Sequence, residues 1–281
     1  MIGKHLLKWI FFCLICSGPV FAELEEKPMV VVIPSYNNKN WYQRNLDSVF
    51  FQKYDNYRVI FIDDSSPDCT GLFVKSYIKQ SEQEERVTLI QNEKRNGALA
   101  NIYKAVHLCA PEEIIVTLDG DDWFFDDQVL AKLNEVYSDL DVWMTYGQFV
   151  HYPCGSPGWA SELPMHVIES NGFRNYNWVT THLRTFYAGL FHKIKKDDLL
   201  LEGAFFPMAW DLAFMFPMLE MAGFHSRFIP DVLYVYNIAT PFNDIKVDPT
   251  YQQNLGWLIR TREKYAPLSS SPYPLCDAPS Y

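Results

Sequence analysis

The chain has 281 residues, a formal net charge of −10 and a pI near 5.2. Hydrophobic residues make up 48% and aromatics 16%, enough for a sizeable core, which excludes an intrinsically disordered chain. No Lys/Arg-rich run offsets the acidic balance, so nucleic acid is not an expected partner, and an anionic ligand would need a bridging cation.

The first residues read as a leader. A basic start (Lys4, Lys8) runs into the apolar stretch Trp9 to Cys16, then Ser17 to Ala22, with Val20 and Ala22 where a signal peptidase reads. The apolar stretch is short against the about 20 residues a bilayer-spanning helix needs. Residues 1–22 are therefore expected to be a cleaved export signal, giving a secreted or extracytoplasmic protein; an uncleaved membrane anchor is the lesser reading. Cys16 lacks a small residue before it, which argues against a lipoprotein anchor. Removing this segment leaves 259 residues and, with Lys4 and Lys8 gone, takes the charge from −10 to −12. That length suits one large α/β domain, or a domain with a subdomain. Cys69, Cys109, Cys154 and Cys276 are scattered without metal-ligand spacing, and fit either one or two disulfides or four thiols. The absence of an Asn-x-Ser/Thr sequon leans toward a bacterial or viral exported protein.

In chain order, Met29 to Ile33 is an apolar strand stopped by Pro34-Ser35-Tyr36-Asn37-Asn38, and Leu46, Val49 and Phe50 follow at helical spacing. A second strand, Tyr57 to Ile62, ends in Asp63-Asp64-Ser65-Ser66-Pro67-Asp68 before a helix expected to turn Leu72, Phe73, Tyr77 and Ile78 inward. Val87 to Ile90 is a third strand, leading through Arg95-Asn96-Gly97 to a helix with Ala98, Ile102, Ala105 and Cys109. The fourth strand begins at Ile114. Val129, Leu130, Leu133 and Val136 mark another helix, and Val142 to Phe149 another strand. Successive β–α units with polar loops after each strand predict a parallel sheet with right-handed crossovers. From Tyr152 to about Trp178 the chain shows no period and reads as a long functional loop, whose Trp159 and Trp178 either stack on sugar faces or anchor the loop. A helix from Ala209 to Ala222 should turn Leu212, Met215 and Leu219 inward, with Pro217 kinking it or removing a hydrogen bond and Asp211 in its favourable first turn. Val232 to Tyr236 reads as a strand, Leu255, Leu258, Ile259 and Arg262 as an amphipathic helix, and residues 266–281 as a poorly ordered tail.

The fourth strand carries the chemistry. Ile114 to Leu118 is uncharged and aliphatic, then the chain reads Asp119-Gly120-Asp121-Asp122-Trp123. A buried strand delivering carboxylates to its C-terminal end places them where open α/β sheets bind ligands. Carboxylates this close are tolerated when solvated, hydrogen-bonded or neutralised by a hard cation, and Mg²⁺ or Mn²⁺ carrying a diphosphate fits such a ledge. The plain structural alternative is an acidic turn capping a helix near Asp126. An EF-hand is excluded, because Trp123 stands at the third ligand position and the required glycine is missing.

Val-Ile-Pro-Ser-Tyr-Asn at 32–37, Phe-Ile-Asp-Asp-Ser-Ser at 61–66, Asn96-Gly97 with Asn101, and Leu-Asp-Gly-Asp-Asp at 118–122 together resemble the family-2 inverting glycosyltransferases with the A-type nucleotide-sugar fold. The likeness covers about residues 28–149 and extends more loosely through Pro207 to Asp211. It implies a single Rossmann-like α/β domain with a nucleotide-sugar-binding half over 28–149 and an acceptor-side half over 150–265. By this resemblance Pro34, Ser35 and Tyr36 frame the nucleotide base, and Asp64 accepts hydrogen bonds from it. Arg95 and Asn96 lie beside the nucleotide, and Asp119 contacts the ribose or the metal shell. Asp121 is the main ligand of Mn²⁺ or Mg²⁺, Asp122 is structural, and Asp211 is the catalytic base.

The implied reaction is nonprocessive transfer from a nucleotide-sugar donor, expected to be a UDP-sugar, to a hydroxyl on a glycan, lipid or protein. The family's acidic pair before the base is here Trp210-Asp211, with one carboxylate. No Gln-x-x-Arg-Trp signature and no later membrane-spanning run are present, which argues against a synthase that extrudes its product. His182 and Arg184 sit where an acceptor or diphosphate could be met, though a lone His is more often structural. His151, His166, His192 and His225 show no readable pairing. The alternatives are a catalytically inactive sugar- or nucleotide-binding protein on the same fold and a nucleotidyltransferase, the latter disfavoured by the lack of a Gly-rich basic loop after the first strand.

Overall fold

A computed structural model of the chain describes residues 24–241 and 244–273; the expected leader and Cys276 lie outside them. In chain order it runs β1 (Met29–Ser35), α1 (Tyr42–Phe50), β2 (Tyr57–Asp63), α2 (Thr70–Gln80), β3 (Val87–Gln91), α3 (Ala98–Val106) and β4 (Ile114–Thr117). There follow β5 (Trp123–Phe124), α4 (Val129–Tyr137), β6 (Met144–Tyr152), α5 (Met165–Glu169), β7 (Thr185–Tyr187) and α6 (Ala188–Phe191). The ribbon β8 (Leu200–Leu201) and β9 (Ala204–Phe205) precedes α7 (Trp210–Ala222), β10 (Ser226–Asn237), α8 (Asp244–Val247) and α9 (Pro249–Arg260).

Eight strands form one sheet in the order β3-β2-β1-β4-β7-β6-β10-β5. The strands β3, β2, β1 and β4 are parallel, as are β6 and β10, whereas β7 and β5 oppose their neighbours. The expected class, a mainly parallel sheet with helices, is the fold. Every residue of β1 and β4 is buried, which is why both read as continuous apolar runs. The chain steps outward from β1 to β2 to β3 and then returns to β4 on the other side of β1. Strand order therefore reverses between β1 and β4, and a crevice opens beyond their C-terminal ends.

Several expectations are corrected. In α2 the buried residues are Thr70, Gly71, Val74 and Ile78, while Leu72 and Phe73 point outward. Gly71 sets that phase, because a Cβ there would lie 2.6 Å from Asp63 Oδ2, so this edge of the helix must face β2. In α7 every residue from Ala213 to Ala222 is buried, so an inward stripe of Leu212, Met215 and Leu219 does not describe it; Leu212 is the half-buried one. The helix continues past Pro217 without a break in its span.

The stretch after Tyr152 is more structured than its composition suggests. It holds α5 and a 3₁₀ turn, Phe173–Asn175, from which buried Arg174 reaches Glu220 of α7 (2.5 and 2.9 Å) and the Ile259 carbonyl of α9 (2.7 Å). The described part of the expected tail is held as well: Leu268 N–H donates to the Met221 carbonyl, and buried Tyr273 stacks on Tyr187 at 3.7 Å. Cys69, Cys109 and Cys154 are free thiols. No helix among the described residues is long and apolar enough to cross a membrane.

Candidate active site at the β1/β4 crevice

The acidic turn extends the β1–β4 pairing. Leu118 N–H donates to the Val32 carbonyl at 3.0 Å and Gly120 N–H to the Pro34 carbonyl at 3.1 Å. A Cβ on Gly120 would lie 2.6 Å from Ser35 Oγ and 2.7 Å from Asn38 Nδ2, so the approach requires glycine. From the other side Asn45, fully buried in α1, donates through Nδ2 to the carbonyls of Asp119 (3.0 Å) and Asp122 (2.8 Å). A helix side chain thus spans the turn and fixes which way its carboxylates point.

The three carboxylates have different fates. Asp122 turns into the protein, where its oxygens accept from Tyr234 Oη (2.5 Å) and Asn237 N–H (2.7 Å). Burial first, and then Asp121 and Asp119, push its carboxyl well above the ordinary range. All three border the cleft, but Asp119 and Asp121 are the less buried two. Burial pushes Asp119 up to about 6; Arg184 opposes this, Asp211 adds to it, and Tyr234 opposes it. A carboxylate already reluctant to ionise beside two others favours the arrival of positive charge.

On the β2 side Asp64 is buried and accepts from Asn92 Nδ2 (2.8 Å), Asn96 N–H (2.9 Å) and Gly97 N–H (2.8 Å). Burial alone would raise its carboxyl, but these donors outweigh it and hold the group below the ordinary range. Asp64 therefore organises the 92–97 loop while still lining the cleft. Gly97, at φ +90°, allows that loop to enter α3. Arg95 lays its guanidinium over the Tyr36 ring at 3.9 Å. Asn96 contributes its backbone, and its side chain turns to the Lys94 carbonyl (3.0 Å) rather than lining the cleft.

The β7 side carries Arg184 and Asp211. Arg184 is buried, and its Nη2 donates to Asp211 Oδ2 at 3.1 Å and meets His182 Nε2 at 3.4 Å; its Nε has no hydrogen-bond partner among the described residues. Asp211 stands in the first turn of α7, where the positive end of the helix favours a carboxylate. His182 is sandwiched near Tyr234 (4.5 Å) and Tyr236 (5.2 Å), and burial, then Arg184, hold its imidazole well below the usual range, so it is neutral. Trp159 packs edge-on against Phe149 and Trp178 against Phe216, and both reach the cleft.

The result is a cleft of about 390 Å³ that gathers Pro34, Ser35, Tyr36, Asp64, Arg95, Asp119, Asp121 and Asp211 from five separate stretches of sequence. Among the described residues no three His, Cys, Asp or Glu side chains gather into a protein-only metal cage. Two carboxylates are nonetheless the set that hard cations use when phosphate oxygens and water complete the shell. Sequence reasoning missed Asn45, Tyr234 and Asn237, which hold the turn from 74 or more positions away. A buried Asn in an otherwise apolar helix face was the available signal for Asn45.

The sequence pattern described as glycosyl transferase family 2 matches residues 30–198, more than half of the chain. Glycosyltransferase GlyA of Streptococcus pneumoniae serotype 4 is 23% identical over 194 residues, 62% of this chain and 26% of that protein. The S. aureus TarS fragment 1–349 in complex with UDP-GlcNAc superposes with a TM-score of 0.61 at 17% identity, covering 83% of this chain and 65% of that one. Mannosyltransferase PcManGT from Pyrobaculum calidifontis, in complex with GDP-Man and Mn²⁺, gives 0.53 at 19%, covering 78% and 59%. The chain thus spans about a quarter of GlyA and under two thirds of either structure, and at these identities the two structures speak for the fold. On the extent of the sequence match, this chain belongs to glycosyl transferase family 2.

Proposed function

We propose that this protein is a metal-dependent, inverting, nonprocessive glycosyltransferase that moves a sugar from a UDP-sugar to an acceptor hydroxyl. The observation that carries the reading is one cleft running from the β2 side to the β7 side of the crevice, with Asp64 at one end, Asp119 and Asp121 between, and Asp211 on α7. TarS with UDP-GlcNAc and PcManGT with GDP-Man and Mn²⁺ share this fold, which supports a nucleotide-sugar donor and a divalent ion.

In this reading Pro34, Ser35 and Tyr36 frame the base beside Asp64. Asp119 and Asp121 would hold Mn²⁺ or Mg²⁺, which when bound neutralises charge on the diphosphate. The raised Asp119 fits that role, because a bound cation would offset the burial, and the smaller push from Asp211, that oppose its ionisation. Asp211 Oδ takes the proton of the acceptor hydroxyl as that oxygen attacks the anomeric carbon from the face opposite the diphosphate. The new C–O bond forms as the bond to the diphosphate breaks, the electron pair leaves with the nucleotide, and configuration inverts. Arg184 orients the Asp211 carboxylate for this step. Export through residues 1–22 is part of the proposal and requires a donor pool where the protein acts.

The test is turnover of UDP-sugars with Mn²⁺, by wild type and Asp211→Asn. Donor consumption that falls in the variant supports the enzyme. Donor binding with no hydrolysis or transfer, indifferent to the substitution, identifies a binding protein that has kept the fold.

A further inference from the structure

Beside the cleft lies a second groove, of about 460 Å³, between the N-terminal end of α7 and α9. Trp178, Leu212 and Gln252 line both cavities, so the groove continues the cleft past Asp211. Its own lining adds Trp257, Gln253 and Gly256 from α9. Trp257 is 63% exposed in the last turn of α9, a helix whose other face packs on α7. With half-buried Trp178 it gives the groove two aromatic side chains, which a lone exposed hydrophobic elsewhere on the surface does not do.

The walls are built rather than adaptable. Arg260 donates to the carbonyls of Arg174 (2.5 Å) and Tyr176 (2.9 Å), and Arg174 donates back to the Ile259 carbonyl, so the strand of loop bearing Trp178 is clamped to α9. Trp178 is braced edge-on by Phe216 at 5.3 Å. At Gly256 a Cβ would stand 3.6 Å from Leu212 Cδ2, an ordinary contact that shows how closely the two helices approach.

We propose that this groove is an acceptor subsite for a glycan chain of at least two sugars, with Trp178 and Trp257 stacking on sugar faces and Gln252 and Gln253 meeting hydroxyls. This rests on the glycosyltransferase reading above and adds the class of acceptor. Indole rings beside primary amides suit a ring with one C–H face and an equatorial rim of hydroxyls. Ala209, Leu212 and Pro249 add apolar surface beside the indoles, so an isoprenoid tail is the competing occupant that the test must separate from a glycan.

The test uses arrayed gluco-, galacto-, manno- and N-acetylglucosamine oligosaccharides of one and four units, with farnesyl phosphate as the lipid probe. UDP binding with Mn²⁺ is measured in parallel by melting shift. Tetrasaccharide binding stronger than monosaccharide binding, reduced about tenfold or more by Trp257→Ala, supports the subsite, that being the loss expected of an aromatic anchor. Trp257 is exposed, so the variant should fold, and its UDP shift should match wild type. No gain with glycan length, no effect of Trp257→Ala, or binding of farnesyl phosphate in place of glycans overturns the inference. Loss of the UDP shift in wild type instead overturns the donor-site reading on which it stands.

Discussion

Arg184 Nη2 donates to Asp211 Oδ2 at 3.1 Å, joining the strand side of the cleft to the first turn of α7. The arginine side chain is 4% exposed and the aspartate 19%, so the pair is largely withdrawn from water, yet Asp211 still opens to the cleft. Arg184 also counters the charge of Asp119. One guanidinium therefore acts on carboxylates at two sides of the cleft, Asp211 by a hydrogen bond and Asp119 through its charge.

A double-mutant cycle of Arg184→Met and Asp211→Asn should show a coupling in unfolding free energy of about 1–3 kcal/mol. In the same set Asp211→Asn should lower turnover about 100-fold or more through loss of general-base catalysis. UDP affinity should hold, because the carboxylates assigned to the metal lie elsewhere. Additive stabilities would show that the pair does not work as a unit.

Asp119 and Asp64 predict opposite pH behaviour. Burial raises Asp119 to about 6, so the folded chain holds this proton more tightly than the unfolded chain does. The stability that protonation supplies is complete below the ordinary carboxyl range and is lost as pH rises through about 6. Asp64, held low by Asn96, Asn92 and Gly97 against its burial, contributes stability above the ordinary range that disappears only in stronger acid. Urea denaturation of metal-free protein should show this loss as pH rises from the ordinary carboxyl range through about 6, and Asp119→Asn should reduce the loss by about 1–3 kcal/mol. An unchanged slope in the variant would contradict the assignment.

Gly120→Ala tests the closeness of the turn to β1. Its Cβ would meet Ser35 Oγ at 2.6 Å and Asn38 Nδ2 at 2.7 Å, forcing the acidic turn outward. The expected cost is about 1–3 kcal/mol of stability, as for other overpacked sites, with weakened UDP binding by calorimetry. A variant with wild-type stability and affinity would show that the turn tolerates displacement.

What could be read from sequence follows physical signals of different range. The apolar runs of β1, β2 and β4 and the acidic residues after them are local, so the parallel half of the sheet and the cleft's Asp residues were legible. Strand β7 was not: three residues are too few to show a period, and Thr185 earns its place through buried hydrogen bonds to Tyr137 (2.8 Å) and Thr145 (2.6 Å). The direction of Asp122 was legible only by resemblance, since the Tyr234 and Asn237 that hold it lie 112 and 115 positions away. The outward turn of Leu72 and Phe73 reversed a hydrophobicity argument, because the contact at Gly71 outweighed two large apolar side chains. Short-range pattern finds elements; the partners of buried polar groups are set by the tertiary fold.

The central claim, a diphosphate gripped through a cation on Asp121, is tested most directly by the melting shift of UDP with and without Mn²⁺ in wild type and Asp121→Ala. Ligand at about 100 times its dissociation constant should add about 2.7 kcal/mol to wild type. The shift should need Mn²⁺ in wild type and be lost in Asp121→Ala. A shift of equal size without the metal, or one retained by the variant, would contradict it.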